Sequence, residues 1–139
     1  MFSRFLESMV EGAYLLLRVI AGTMFAIAGI QKWFGIFMPP DFVLETGSQV
    51  WFGAIIEIVT GVLIVLGLFT RYAAFLASGT MAVAYAQFHW KFAFDENFFP
   101  SVNQGGPALI NAVLFFYFAC RGGGKYSLDA LWKRKRATP

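Results

Sequence analysis

Residues 50–69 read VWFGAIIEIVTGVLIVLGLF, with Glu57 as the single charge and no proline. A helix that crosses a bilayer needs about 20 mostly apolar residues, and this stretch supplies them. It runs into Gly67-Leu68-Phe69-Thr70-Arg71, a glycine-led segment that reads as a tight turn. A second apolar run follows at once, from Tyr72 to Trp90, so the two runs form an antiparallel pair. Outward from this pair lie two more apolar runs, Gly12 to Trp33 and Gly106 to Arg121. The last is the shortest, and its Pro107 stands in the first turn, where a missing N–H is harmless. The expected fold is all-α: an integral membrane four-helix bundle in one domain, 1–139, with spans at about 12–33, 50–69, 72–90 and 106–121.

The composition points the same way. The chain has 139 residues, 58% hydrophobic, 19% aromatic and 14% charged, with a net charge of +3. Its mean hydropathy is +0.63. Soluble domains carry about 25% charged residues. These values exclude a soluble globular domain, a disordered chain and a nucleic-acid binder with a basic face. The one cysteine, Cys120, rules out an internal disulfide and any C-x-x-C motif. The one histidine, His89, cannot supply two imidazoles to a haem. No Walker loop, G-x-G-x-x-G or H-E-x-x-H motif occurs, and no metal-spaced ligand set, so no metal site is expected. Gly122-Gly123-Gly124 reads as a helix stop rather than a phosphate cradle, because no strand precedes it.

Orientation follows the lysines and arginines. One side receives Arg4, Arg71, Arg121, Lys125, Lys133, Arg134, Lys135 and Arg136; the other receives only Lys32 and Lys91. Both termini are therefore expected in the cytoplasm. Trp33, Trp51 and Trp90 fall at the opposite span ends, as an aromatic belt requires. A cleaved signal peptide is the rival reading of the first span. Glu7, Glu11 and Arg18 interrupt the apolar region such a peptide needs, so the span is expected to be retained. Phe2, Phe5, Leu6 and Met9 follow helical spacing and predict a short amphipathic helix on the inner leaflet. At the other terminus Leu131-Trp132 precedes Lys133, Arg134, Lys135 and Arg136, a membrane-surface basic run that also serves as a topology signal.

Two loops face the exterior in this scheme. Residues 35–50 carry Met38-Pro39-Pro40 and then Asp41, a candidate start for a short interfacial helix. Residues 91–106 carry Phe92, Phe94, Phe98 and Phe99; they lie in the interface, fold over the bundle mouth or pack against the spans. A faint repeat relates Gly22-Thr23-Met24 to Gly79-Thr80-Met81, and Trp33 to Trp90 at the same offset.

Ionisable residues inside a span are costly and usually face the bundle interior with a partner. Arg18 and Glu57 are the two clear cases, and the expectation is that they pair near mid-membrane, either as a functional pair or as an inter-helix clamp. Each lies on a small-residue stripe: Gly22, Ala26 and Gly29 follow Arg18, and Gly53 and Gly61 flank Glu57. A third stripe runs through Ala74, Ser78, Ala82 and Ala86. Small faces let helices approach closely in lipid, so these stripes should meet. Asn111 stands at a depth from which it reaches the Glu57 carboxylate. Gln31, Lys32, Gln87 and His89 form a second polar cluster at the outer span ends. They read either as a mouth that binds a polar head group or as side chains snorkelling to the interface.

The pattern as a whole resembles the DoxX family of small four-span bacterial membrane proteins. The matching pieces are Leu17-Arg18 with Gly22, Phe25, Gly29 and Lys32, then Glu57, Gly61, Leu66-Gly67-Leu68 and Thr70-Arg71, and last Gly122-Gly123-Gly124-Lys125-Tyr126-Ser127-Leu128-Asp129. The resemblance implies a multi-pass protein of the bacterial plasma (inner) membrane. It also implies an accessory role beside quinone-linked redox chemistry, since some relatives are subunits of quinol-oxidase or thiosulfate:quinone oxidoreductase systems. The chain has nothing that would hold haem, flavin or copper by itself, so no cofactor is expected on this chain alone; on that reading a quinone or a partner membrane subunit carries the electrons. The alternative is a non-catalytic structural or assembly subunit, or a homo-oligomer; a small transporter is a third reading, with little room for a lumen in one chain. The sequence assigns no reaction.

Overall fold

The computed structural model describes residues 1–137. Helix α1 runs over Phe2–Phe34, 33 residues without a break. The N-terminal amphipathic stretch and the first span are thus one helix, because nothing between Met9 and Gly12 interrupts the hydrogen-bond ladder. Phe2, Phe5, Leu6 and Met9 are exposed on it. It stops at Gly35, whose left-handed backbone lets its N–H return to the Gln31 carbonyl. Residues 35–48 form turns, and no helix starts at Asp41. Instead the Phe42 N–H returns to the Pro39 carbonyl at 2.9 Å and closes a single turn there.

Helix α2, Gln49–Leu66, is capped by Ser48, whose hydroxyl accepts from the Trp51 N–H at 3.2 Å. Helix α3, Thr70–Ala84, continues as a π turn over Tyr85–Trp90. A one-turn 3-10 segment at Glu96–Phe98 interrupts the following loop. Helix α4 spans Gly106–Arg121 and α5 spans Leu128–Ala137.

The α2–α3 turn depends on Gly67. Its φ is 67°, and the N–H of Leu68 reaches back to the Leu63 carbonyl at 3.0 Å, closing a Schellman motif. A Cβ there would sit 2.5 Å from Arg18 Nη1 and 2.5 Å from Ser127 Cβ, so the position needs glycine for space as well as for backbone.

Helix α1 packs along α2, α3 along α4, and α2 joins α3. The α1–α2 seam brings backbone against backbone. A Cβ on Gly22 would stand 2.8 Å from the Gly61 carbonyl, and one on Gly29 would stand 2.6 Å from the Ala54 carbonyl. Such contact is what small residues permit where no water drives helices together. The α2 side of the seam is Ala54, Glu57 and Gly61, while Gly53 faces open space. Gly79 also faces open space, so it does not repeat the role of Gly22. Between α1 and α4 large rings fill the gap instead: Phe25 meets Phe115 at 4.7 Å and Tyr14 meets Phe118 at 5.6 Å. Ala73, Ala74 and Ala77 of α3 are buried in the same cluster.

Outward, Met24, Val59, Phe75, Ile110 and Phe116 are exposed, so each of the first four helices presents large apolar side chains to the surroundings. Water is a poor solvent for so much apolar surface, and lipid a good one. Helices α1 and α2 are each long and apolar enough to cross a membrane.

Candidate functional site

The end of the molecule carrying the α2–α3 turn is locked by polar groups that cap one another's helices. Arg18 is 1% exposed. Its Nη1 donates to the carbonyls of Ile64 and Val65, the latter at 2.9 Å, and Nη2 donates to the Tyr126 carbonyl at 2.7 Å. A guanidinium here adds a donor to the Ile64 carbonyl, which also accepts from the Gly67 N–H, supplies one to the Val65 carbonyl, and opposes the negative end of the α2 dipole. It also ties residues 125–127 to α1. Asp129 does the reverse for α3: its carboxylate accepts from the N–H groups of Phe69 at 2.8 Å and Thr70 at 2.9 Å, and from the Thr70 hydroxyl at 2.8 Å. Arg71 caps α4 through the carbonyls of Ala119 and Cys120. Glu11 pairs with Arg121 and accepts from the Lys125 N–H at 3.1 Å. The Gly122…Asp129 segment therefore works as a clasp. Lys133, Arg134, Lys135 and Arg136 lie beyond it on exposed α5.

Arg18 and Glu57 do not pair. The Gly22–Gly61 and Gly29–Ala54 contacts fix the register of α1 on α2. That register sets Arg18 beside the last turn of α2, whereas Glu57 lies seven residues earlier than Ile64, about 10 Å along the axis at 1.5 Å per residue. Arg18 is thus at the end of the α1–α2 contact, because α1 begins at Phe2 and overshoots the α2–α3 turn. Asn111 does not bond Glu57 either; its side chain makes no hydrogen bond among the described residues.

The partner of Glu57 is Lys32. Lys32 Nζ lies 2.5 Å from Glu57 Oε1, with side-chain exposures of 29% and 3%. Lys32 turns inward from the end of α1 rather than out to the interface. Glu57 Oε2 is buried with no hydrogen-bond partner. The same end carries an aromatic pair, Trp33 and Trp51, with ring centres 5.6 Å apart.

The other polar residues at this end serve the loops. Gln87 accepts from Gln49 Nε2 at 2.5 Å, joining the π turn to the start of α2. His89 Nδ1 lies 3.1 Å from the Asn103 carbonyl, which can only accept, so this nitrogen carries the proton. Asn103 also donates to the Asn97 carbonyl at 2.8 Å and accepts from the Gly105 N–H at 2.7 Å. Gln31 makes no side-chain hydrogen bond among the described residues. Trp90 packs with Phe92, Phe94 and Phe98, so the phenylalanine-rich loop folds around its own tryptophan. Gln49 and Asn103 carry no motif or spacing that would single them out; only loop closure gives them partners.

No solved structure matches the chain significantly. The chain is 38% identical over 122 residues to an uncharacterized protein of Haemophilus influenzae (strain Rd), covering 86% of this chain and 90% of that protein. Residues 13–90, which hold Arg18, Lys32 and Glu57, match the sequence profile of the DoxX family. The chain is a membrane protein and belongs to the DoxX family.

Proposed function

We propose that this chain is a four-helix, multi-pass accessory subunit of the bacterial inner membrane, with both termini cytoplasmic, and that it serves quinone-linked redox chemistry at the Lys32–Glu57 pair. The observation that carries this reading is the buried, unpartnered Oε2 of Glu57 beside a lysine. A carboxylate oxygen without a donor in an apolar interior is costly, and such residues inside membranes mark proton or ligand pathways. The orientation rests on the excess of basic residues on the side of the α2–α3 turn.

The residues fit a quinone. A quinone carbonyl needs a hydrogen-bond donor, its reduction needs a proton partner, and its ring needs an apolar wall. Lys32 Nζ has N–H groups beyond the one directed at Glu57. Glu57 holds or returns a proton at Oε2. Trp33 and Trp51, at the same end, offer ring faces. When bound, the quinone supplies two-electron, two-proton chemistry. The single histidine cannot give a haem iron two imidazoles, so on this reading such a haem sits in a partner subunit.

Titrating a short-tail quinone into the purified protein should quench tryptophan fluorescence saturably. Glu57→Gln should weaken that binding about tenfold, the loss of roughly 1.4 kcal/mol, with helicity by circular dichroism unchanged. A quench that never saturates, or equal affinity in both proteins, contradicts the proposal. The reading as a non-catalytic assembly subunit draws on the clasp at the turn end. A stable stoichiometric partner in gentle detergent, together with no quinone binding, would favour it.

A further inference from the structure

A groove of about 460 Å³ opens at the turn end, between α1, the last turn of α2 and the segment from Lys125 to Arg134. Its lining combines two chemistries. Arg18, Lys125 and Arg134 are the charged residues on it, and no acidic residue lines it among the described residues. Leu15, Leu66 and Leu131 line the rest. Arg18 is the telling member. It is buried, its Nε has no hydrogen-bond partner, and its other nitrogens reach only carbonyl oxygens. Neither ion pair among the described residues involves it, and the Asp129 carboxylate acts on it only from beyond contact distance. Lys125 is exposed, and its ammonium lies 5.5 Å from the Tyr126 ring centre. The groove therefore gathers positive charge beside an apolar slot.

We infer that this groove is a stoichiometric site for one anionic phospholipid, its phosphate held among Arg18, Lys125 and Arg134 and one acyl chain laid along Leu15, Leu66 and Leu131. Basic pockets beside membrane helices favour anionic head groups, and guanidinium N–H groups match phosphate oxygens. The leucines select a phosphate that carries a hydrocarbon chain over free inorganic phosphate. This differs from a diffuse attraction of the α5 basic run to a charged surface. Lys133 and Lys135 belong to that run but not to this groove.

The test is native mass spectrometry and thermal shift on the purified full chain, with phosphatidylglycerol, phosphatidylcholine of the same chain length, or inorganic phosphate added. One phosphatidylglycerol should stay bound per chain and raise the melting temperature, and phosphatidylcholine should bind at least tenfold more weakly. The Lys125→Ala/Arg134→Ala variant should lose the preference, while Lys133→Ala/Lys135→Ala should keep it. Equal retention of both lipids overturns the inference. So does loss of the preference in the Lys133→Ala/Lys135→Ala protein, which would mean surface attraction. Stabilisation by inorganic phosphate equal to that by phosphatidylglycerol overturns the lipid assignment.

Discussion

Replacing Lys32 by methionine should lower the unfolding free energy by about 3–5 kcal/mol, the range for breaking a buried ion pair from one side. The change leaves the Glu57 carboxylate, 3% exposed, without a cation in the seam between α1 and α2. Adding Glu57→Leu should recover most of the loss, because two apolar side chains of similar volume suit that seam better than one uncompensated charge. The measurement is a double-mutant cycle by denaturant unfolding in detergent. The Lys32/Glu57 coupling should exceed about 1 kcal/mol, within the range for residues in contact. The Arg18/Glu57 cycle, run in parallel, should be additive within about 0.5 kcal/mol, since those residues share no partner. A strong Arg18/Glu57 coupling with an additive Lys32/Glu57 cycle would overturn the register derived from Gly22, Gly29 and Gly61.

Arg18→Ala should cost about as much, for a different reason. It removes donors to three carbonyls, those of Ile64, Val65 and Tyr126. Hydrogen bonds to charged groups are worth roughly 1.5–3 kcal/mol each and are not fully additive, so a loss of about 3–5 kcal/mol is expected. The residue also holds the clasp to α1. Trypsin should therefore cut after Lys125 several-fold faster in Arg18→Ala than in the parent protein. Arg18→Lys should rescue little, because one ammonium lacks the fork that reaches carbonyls on two elements. An unchanged cleavage rate would show that Asp129 and Glu11 hold the clasp without Arg18.

Several of these features are legible in the sequence. Apolar runs broken by Gly35, Gly67 and Gly122 place the helices, because each of these glycines takes a positive φ that ends its helix. The small residues Gly22, Ala26, Gly29 and Gly61 announce a close seam. The partner of Glu57 is not legible in the same way, because pairing depends on register, and register depends on where α1 begins. Starting the span at Gly12 puts Arg18 near the depth of Glu57; the helix that starts at Phe2 puts it at the end of α2. One signal did point to Lys32. It continues the stripe Arg18, Gly22, Ala26, Gly29 by three more residues, on the face that meets α2. The links from Asp129 to Thr70, His89 to Asn103 and Gln49 to Gln87 join segments 14 to 59 residues apart and leave no periodic trace.

The central claim is that a quinone meets the chain beside Lys32 and Glu57, and photolabelling tests it most directly. A photoreactive short-tail quinone, activated in membranes containing the protein, is followed by peptide mapping. The account predicts label within 29–34 at the end of α1 and 49–57 at the start of α2, displaced by excess unlabelled quinone and strongly reduced in Glu57→Gln. Label spread over the exposed apolar residues of α3 and α4, or label that excess quinone does not displace, would contradict it.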